Sequence, residues 1–178
     1  RFSNDGMGYH SFDMVRGIPI AIQPGGIFSA FLQWDDMYGR SSNDYNLYLE
    51  ENGEMIALSE RLQDGSSLPE EKFTYINDGN RLVQSELRIK KENSSAEDKN
   101  IEIFINAQKD KVYITREHLV IEDSIIGQAT VPKVLSVAAI SPEKVNAIER
   151  YSSHGFVTLS YPDSSVRNKP DITGINNI

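Results

Sequence analysis

The chain has 178 residues, 39% hydrophobic and 25% charged, with a formal net charge of −8 and no cysteine. A chain of this length and composition folds into one or two globular domains and buries roughly two thirds of its unfolded surface, so general disorder is excluded. The acidic balance argues against a nucleic-acid partner, which needs clustered Lys and Arg, and the lack of Cys excludes disulfides, thiol catalysis and thiolate metal sites.

In chain order, "RFSNDGMGYH" has no apolar signal-peptide core, and no later stretch approaches the ~18 apolar residues of a membrane span, so no membrane span is expected. The chain opens on Arg1, and both ends are expected to be artificial cuts. From Ile18 the pattern is β. "IPIAIQ" leads through Pro24-Gly25-Gly26 into "IFSAFLQW", and "YNLYLE" leads through Asn52-Gly53 into "EMIALSE". Both pairs read as hairpins. Short strands are then expected at "KFTYIN", "VQSELRIKK", "NIEIFIN" and "EHLVIED". Regular short runs without a long 3.6-residue period predict an antiparallel β-sandwich over about residues 12–125. Arg88, Lys90 and Lys91 alternate with Glu86 and Glu92, which makes a solvated strand face rather than a phosphate-binding patch.

Charge changes along the chain. Residues 1–128 hold 13 Lys/Arg against 22 Asp/Glu, and residues 129–178 hold five against four. Beyond this seam Val134–Ile140 is apolar except for Ser136, the texture of a strand buried on both faces in a parallel sheet.

Two segments carry a resemblance. "LQWDDMYGRSSNDYNLYLEENGEMIA", Leu32 to Ala57, resembles the prepeptidase-type and jelly-roll β-sandwiches appended to secreted peptidases, which carry a similar Trp-Asp loop before a Leu-Tyr-Leu strand. "VPKVLSVAAIS", "ERYSSHG" and "NKPDITGI" follow one another as in subtilisin-like serine peptidases (subtilases), between the oxyanion-hole asparagine and the catalytic serine. Phe156 departs from that pattern, which has proline after Ser-Ser-x-Gly. In some subtilases an insert interrupts the loop before this strand, and "DGMGYHSFD" looks like the linker leading into one.

The resemblance implies a mainly β chain: a linker over residues 1–11, an antiparallel, jelly-roll-like β-sandwich insert over 12–125, and a partial segment of an α/β subtilase core over 126–178. It implies a secreted or cell-surface endopeptidase as the parent, with a polypeptide substrate and Ser-His-Asp chemistry, and an insert that shapes substrate access or surface binding. The family's Asp-(Thr/Ser)-Gly, His-Gly-Thr-His and Gly-Thr-Ser motifs are not in this sequence. The chain alone is therefore expected to be inactive, with no catalytic residue assigned. His154-Gly155 runs into Phe156-Val157 instead of Thr-His, and Asp171-Ile172-Thr173-Gly174 is one residue too long for the aspartate motif. Two other classes stay open: a non-catalytic module that binds a glycan or a protein matrix, and a purely structural insert.

Candidate ligands are few. His10, His118 and His154 show no metal-binding spacing, and with no Cys a zinc site is not expected. Asp35, Asp36, Asn43 and Asp44 place hard oxygen ligands in one loop, which makes calcium the candidate cofactor, against the plainer reading of a solvated acidic loop. Among Phe28, Phe31, Trp34, Tyr45 and Tyr48, Trp34 and Tyr45 are the candidate binding aromatics, with core filling as the alternative. Asn93 opens a formal glycosylation sequon. Residues 129–178, lacking cover for their apolar strands, are expected to pack onto an exposed sheet edge or to self-associate.

Overall fold

The two-residue period of the extended strand Ile27–Trp34 sends every second side chain inward, and the strands Glu70–Ile76 and Ile101–Ala107 pair on either side of it. In the computed structural model, which describes all residues except 14, 93, 94, 116, 118, 145, 160–164, 177 and 178, Phe28, Ala30, Leu32 and Trp34 face inward. The described chain is mainly β, with mostly antiparallel sheets, a 3-10 turn at Gly127–Thr130 and no α-helix among the described residues. It divides into two compact units, Arg1–His118 and Leu119–Ile178.

The first unit contains β1 (Ile18–Ile22), β2 (Ile27–Trp34), β3 (Tyr45–Glu51), β4 (Glu54–Ser59), β5 (Glu70–Ile76), β6 (Val83–Lys91), β7 (Ile101–Ala107) and β8 (Val112–Ile114). They form a five-stranded sheet in the order β4-β3-β6-β1-β8 and a three-stranded sheet in the order β5-β2-β7, with every neighbour antiparallel. Both sheets feed one core. Ile18, Ile20, Ile22, Leu47, Leu49, Leu87 and Ile89 from the larger sheet join Phe28, Leu32 and Trp34 from the smaller, with Phe73, Tyr75, Ile103 and Ile105 packed against them. Each fully buried Leu, Ile or Phe contributes roughly 1.5–3 kcal/mol relative to exposure.

The β3–β4 hairpin follows its turn signal. Asn52 and Gly53 both take positive φ, 52° and 87°, as a two-residue turn of this twist requires. The Pro24-Gly25-Gly26 signal does not close a hairpin. It carries the chain from the larger sheet into the smaller, because β1 pairs with β6 and β8 while β2 pairs with β5 and β7. Gly26 is needed there, since a Cβ would lie 2.9 Å from both the Gln23 carbonyl oxygen and Ile22 Cγ2. The expected strand at "EHLVIED" is not one either. The strand in this region is β8, and Leu119, Val120 and Ile121 are exposed outside any strand.

The second unit contains β9 (Val137–Ile140), β10 (Val157–Leu159), β11 (Ser165–Arg167) and β12 (Ile172–Ile175). β10 and β11 are antiparallel, while β9 and β12 are parallel with Val137 opposite Ile172 and Ile140 opposite Ile175. The described residues provide no helix to cover this pair, so Val137, Ile172 and Ile175 remain about half exposed. No helix among the described residues is long and apolar enough to cross a membrane.

Candidate functional site

The loop between β2 and β3 turns sharply inward because the Trp34 indole must satisfy its N–H in the core. Trp34 Nε1 donates to Asp36 Oδ2 at 3.2 Å and to Ser41 Oγ at 3.1 Å, and Ser41 Oγ in turn donates to Asp36 Oδ2 at 2.8 Å. Asn43 Nδ2 donates to both Asp36 oxygens at 2.8 and 2.9 Å, and Lys99 Nζ lies 3.2 Å from Oδ1. Burial raises the Asp36 carboxyl, but the bonds from Asn43, Ser41 and Lys99 outweigh it and hold its pKa below the ordinary value.

This arrangement corrects the calcium expectation. Calcium needs six to eight oxygens with free lone pairs, whereas Asp36 is filled by N–H and O–H donors. Asn43 presents its amide nitrogen to Asp36 and its oxygen to the Glu97 N–H at 2.7 Å. Asp35 faces Asn100, accepting from its backbone N–H at 3.1 Å and its Nδ2 at 2.8 Å. Asp44 is 5% exposed with Oδ1 unpartnered, and burial, reinforced by Glu92, pushes its pKa up. The four residues form no shared oxygen cage, and among the described residues no group of three or more His, Cys, Asp or Glu side chains could hold a metal.

The aromatic expectation is corrected too. Trp34 and Tyr45 are 4% and 0% exposed, with ring centroids 5.2 Å apart inside the core, so neither can meet a ligand. The Tyr45 hydroxyl donates to the Glu97 carbonyl and accepts from Lys99 N–H, and burial pushes its pKa to about 12. Phe28 and Tyr48 are buried as well. Phe31 lies on the opposite face of β2, its ring 6.3 Å from Phe104.

Of the histidines, His10 is buried against Phe2 and Phe12 and accepts the Ser3 N–H on Nδ1 at 2.9 Å. Burial, followed by the N-terminal amine, lowers its pKa, which suits a neutral structural ring. His154 contributes its backbone, its N–H donating to Ser124 Oγ at 2.8 Å and its carbonyl accepting the Ser124 N–H at 3.0 Å. His118 and Asn93 lie outside the described residues.

Two polar clusters, the first buried and the second partly exposed, were not read as clusters from sequence. Glu71, wholly buried, accepts from Ser59 Oγ, from Gln63 Nε2 at 2.8 Å and from the Arg61 N–H at 2.9 Å. Burial nonetheless raises its pKa. The readable signal was its place in the inward phase of "EEKFTYI", alternating with Phe73 and Tyr75.

The second cluster ties the two ends of the second unit together. Asp171 Oδ2 accepts from Lys169 Nζ at 2.7 Å and from Ser136 N–H and Oγ at 2.7 and 2.9 Å, which lowers its pKa to about 2. Lys169 Nζ also donates to the Val134 carbonyl at 2.7 Å. Gly155 sits so close to the Lys169 carbonyl that a Cβ there would collide with it. Segments more than 30 residues apart, "VLS" and "KPD", thus share one ion-paired knot. Comparisons with protein families, with curated proteins and with solved structures found no match to this chain.

Proposed function

We propose that this chain is a segment of a secreted or cell-surface subtilisin-like serine endopeptidase: an accessory β-sandwich of jelly-roll type followed by part of an α/β catalytic core. The supporting observation is the parallel pairing of β9 with β12, with the Ser-Ser-His-Gly turn lodged against the Lys-Pro-Asp step. Those three segments are the ones whose order carries the family resemblance. Parallel pairing demands a crossover connection, and its two strands need cover on both faces. The exposed Val137, Ile172 and Ile175 are the positions where neighbouring elements of such a core would pack.

On this reading the chain performs no step of peptide hydrolysis itself. The nucleophile, the base and the orienting carboxylate come from elsewhere in the parent. β9, β12 and the Ser136–Lys169–Asp171 knot supply framework beneath the polypeptide-binding cleft, and the sandwich shapes access to it. The test begins with the intact gene, expected to encode Asp-(Thr/Ser)-Gly and His-Gly-Thr-His motifs before Arg1 and a Gly-Thr-Ser motif after Ile178. The full-length protein should then react with a fluorophosphonate probe at that serine. A gene lacking all three motifs ends the reading.

A further inference from the structure

The outward face of the five-stranded sheet is not flat. Along β1 its outward side chains are small, Pro19 and Ala21, while the flanking strands raise taller ones: Tyr113 from β8 on one side, Gln84, Glu86 and Arg88 from β6 on the other. Glu50 of β3, opposite Glu86, extends the second wall. The result is an open trough of about 670 Å³, within the range of small-ligand sites.

Its walls are pre-positioned. The Arg88 guanidinium lies 2.8 Å from Glu50 Oε2 and 2.8 Å from Glu86 Oε2, with the Tyr9 ring 5.8 Å away. The Tyr113 hydroxyl donates to the Asp110 carbonyl at 3.1 Å, which holds the ring while leaving the residue 54% exposed. The arginine engages Oε2 of each glutamate, and on the same wall the Glu86 side chain is 46% exposed beside the exposed Gln84 amide.

The charge arrangement selects the ligand class. A phosphate or carboxylate would have to compete with two glutamates already clasping Arg88. A cation, although the two carboxylates outnumber the one guanidinium, would have to displace Arg88 from between them. A purely apolar ligand would strip water from the carboxylates without replacing their hydrogen bonds. A neutral polyhydroxylated ligand has none of these conflicts: its hydroxyls donate to carboxylate and amide oxygens, and its C–H face stacks on a fixed aromatic ring. We propose that this trough binds a neutral glycan, with Tyr113 as the stacking platform and Glu50, Glu86 and Gln84 as hydroxyl partners. The site stands apart from the peptidase reading, which rests on the second unit.

The experiment screens the whole chain by affinity electrophoresis and on an array of neutral oligosaccharides of glucan, xylan, mannan and chitin type, with sulfated glycans and polylysine alongside. Retention by at least one neutral class is expected. Tyr113→Ala should weaken it about tenfold, as loss of one stacked ring entails, and Tyr113→Phe should preserve it. Ala21→Trp, which fills the trough from its floor, should abolish it while thermal melts confirm the fold. The proposal is overturned if no neutral glycan is retained, if only sulfated glycans or polylysine bind, or if neither Tyr113→Ala nor Ala21→Trp weakens binding in folded protein.

Discussion

Asp36→Ala removes the acceptor on which the β2–β3 loop converges. The substitution strands the Ser41 hydroxyl and the Asn43 amide, in residues no more than 9% exposed, and leaves the Trp34 indole N–H with Ser41 Oγ as its acceptor. Each hydrogen bond to a charged group contributes about 1.5–3 kcal/mol, but bonds sharing one acceptor do not add. Lys99 loses little, because its partly exposed side chain retains Glu97 at 2.9 Å. Each buried polar group left without its partner costs about 1–3 kcal/mol, so we expect about 4 kcal/mol, a large share of the 5–15 kcal/mol typical of a domain. In calorimetry this is a fall in Tm of roughly 15 °C. The Asp36 pKa is depressed, so its contribution is present above the ordinary value of 3.8 and is lost as pH falls through its folded value. The gap between wild type and variant should therefore persist down to that range and close below it. A fall of only a few degrees would refute the account. So would a wild-type melting temperature that rises with millimolar Ca²⁺ and falls with EDTA while the variant responds to neither, since the carboxylate would then be an ion ligand.

Asp44→Asn should act in the opposite direction, raising stability at neutral pH by about 1 kcal/mol, because a buried carboxylate with an unpartnered oxygen is replaced by a neutral amide. A raised carboxyl contributes stability below its unfolded pKa that is lost as pH rises through the folded pKa, so the variant's advantage should vanish near pH 4 in parallel urea titrations; an advantage independent of pH would sink this. Gly155→Ala should disrupt the Leu119–Ile178 unit by driving a Cβ into the Lys169 carbonyl, while amide exchange across β1–β8 stays unchanged. Loss of protection throughout β1–β8 would contradict that independence. A chain ending at residue 127 should fold and stay monomeric in light scattering, whereas the full chain, with Leu135, Val137, Ile172 and Ile175 exposed, should self-associate. An unfolded short form would mean that the later strands belong to the same core.

The strands were legible where one face is buried and the other wet. β2 is the clearest case, with Phe28, Ala30, Leu32 and Trp34 buried at every second residue, although Ile27 and Phe31 put apolar side chains on the other face. β3 is harder, because Tyr45–Leu49 is buried on both faces: Asn46 and Tyr48 point away from the core but are covered through bonds to Glu92 and Glu60. Pairing was less legible than strand position. A Pro-Gly-Gly turn encodes a local reversal, yet whether the next strand returns to its neighbour or crosses to the other sheet depends on contacts such as Phe28 with Phe73 that lie far away in sequence. The same gap explains the calcium expectation. Oxygen-bearing residues in a loop are common to ion cages and hydrogen-bond knots, and only the direction of the Asn43 amide and the Ser41 hydroxyl separates the two.

The two functional readings draw on different units and different physical terms, so they can fail separately. The peptidase reading depends on the parallel β9–β12 pair and its knot, where apolar strands without cover call for further core elements. The glycan reading depends on the outward face of the larger sheet, where an arginine clasped by two glutamates and one anchored tyrosine line a trough floored by small residues. Should the trough bind glycans while the gene lacks the triad motifs, the sandwich would be a recognition module attached to some other chemistry. Should the motifs be present and the trough stay inert, the sandwich would act by its placement near the cleft, and substitutions at Tyr113 would leave cleavage of polypeptides unchanged. Kinetics of Tyr113→Ala in the full-length protein, on a free polypeptide and on one presented within a glycan matrix, separates these cases: a loss confined to the matrix-bound substrate requires both readings to hold.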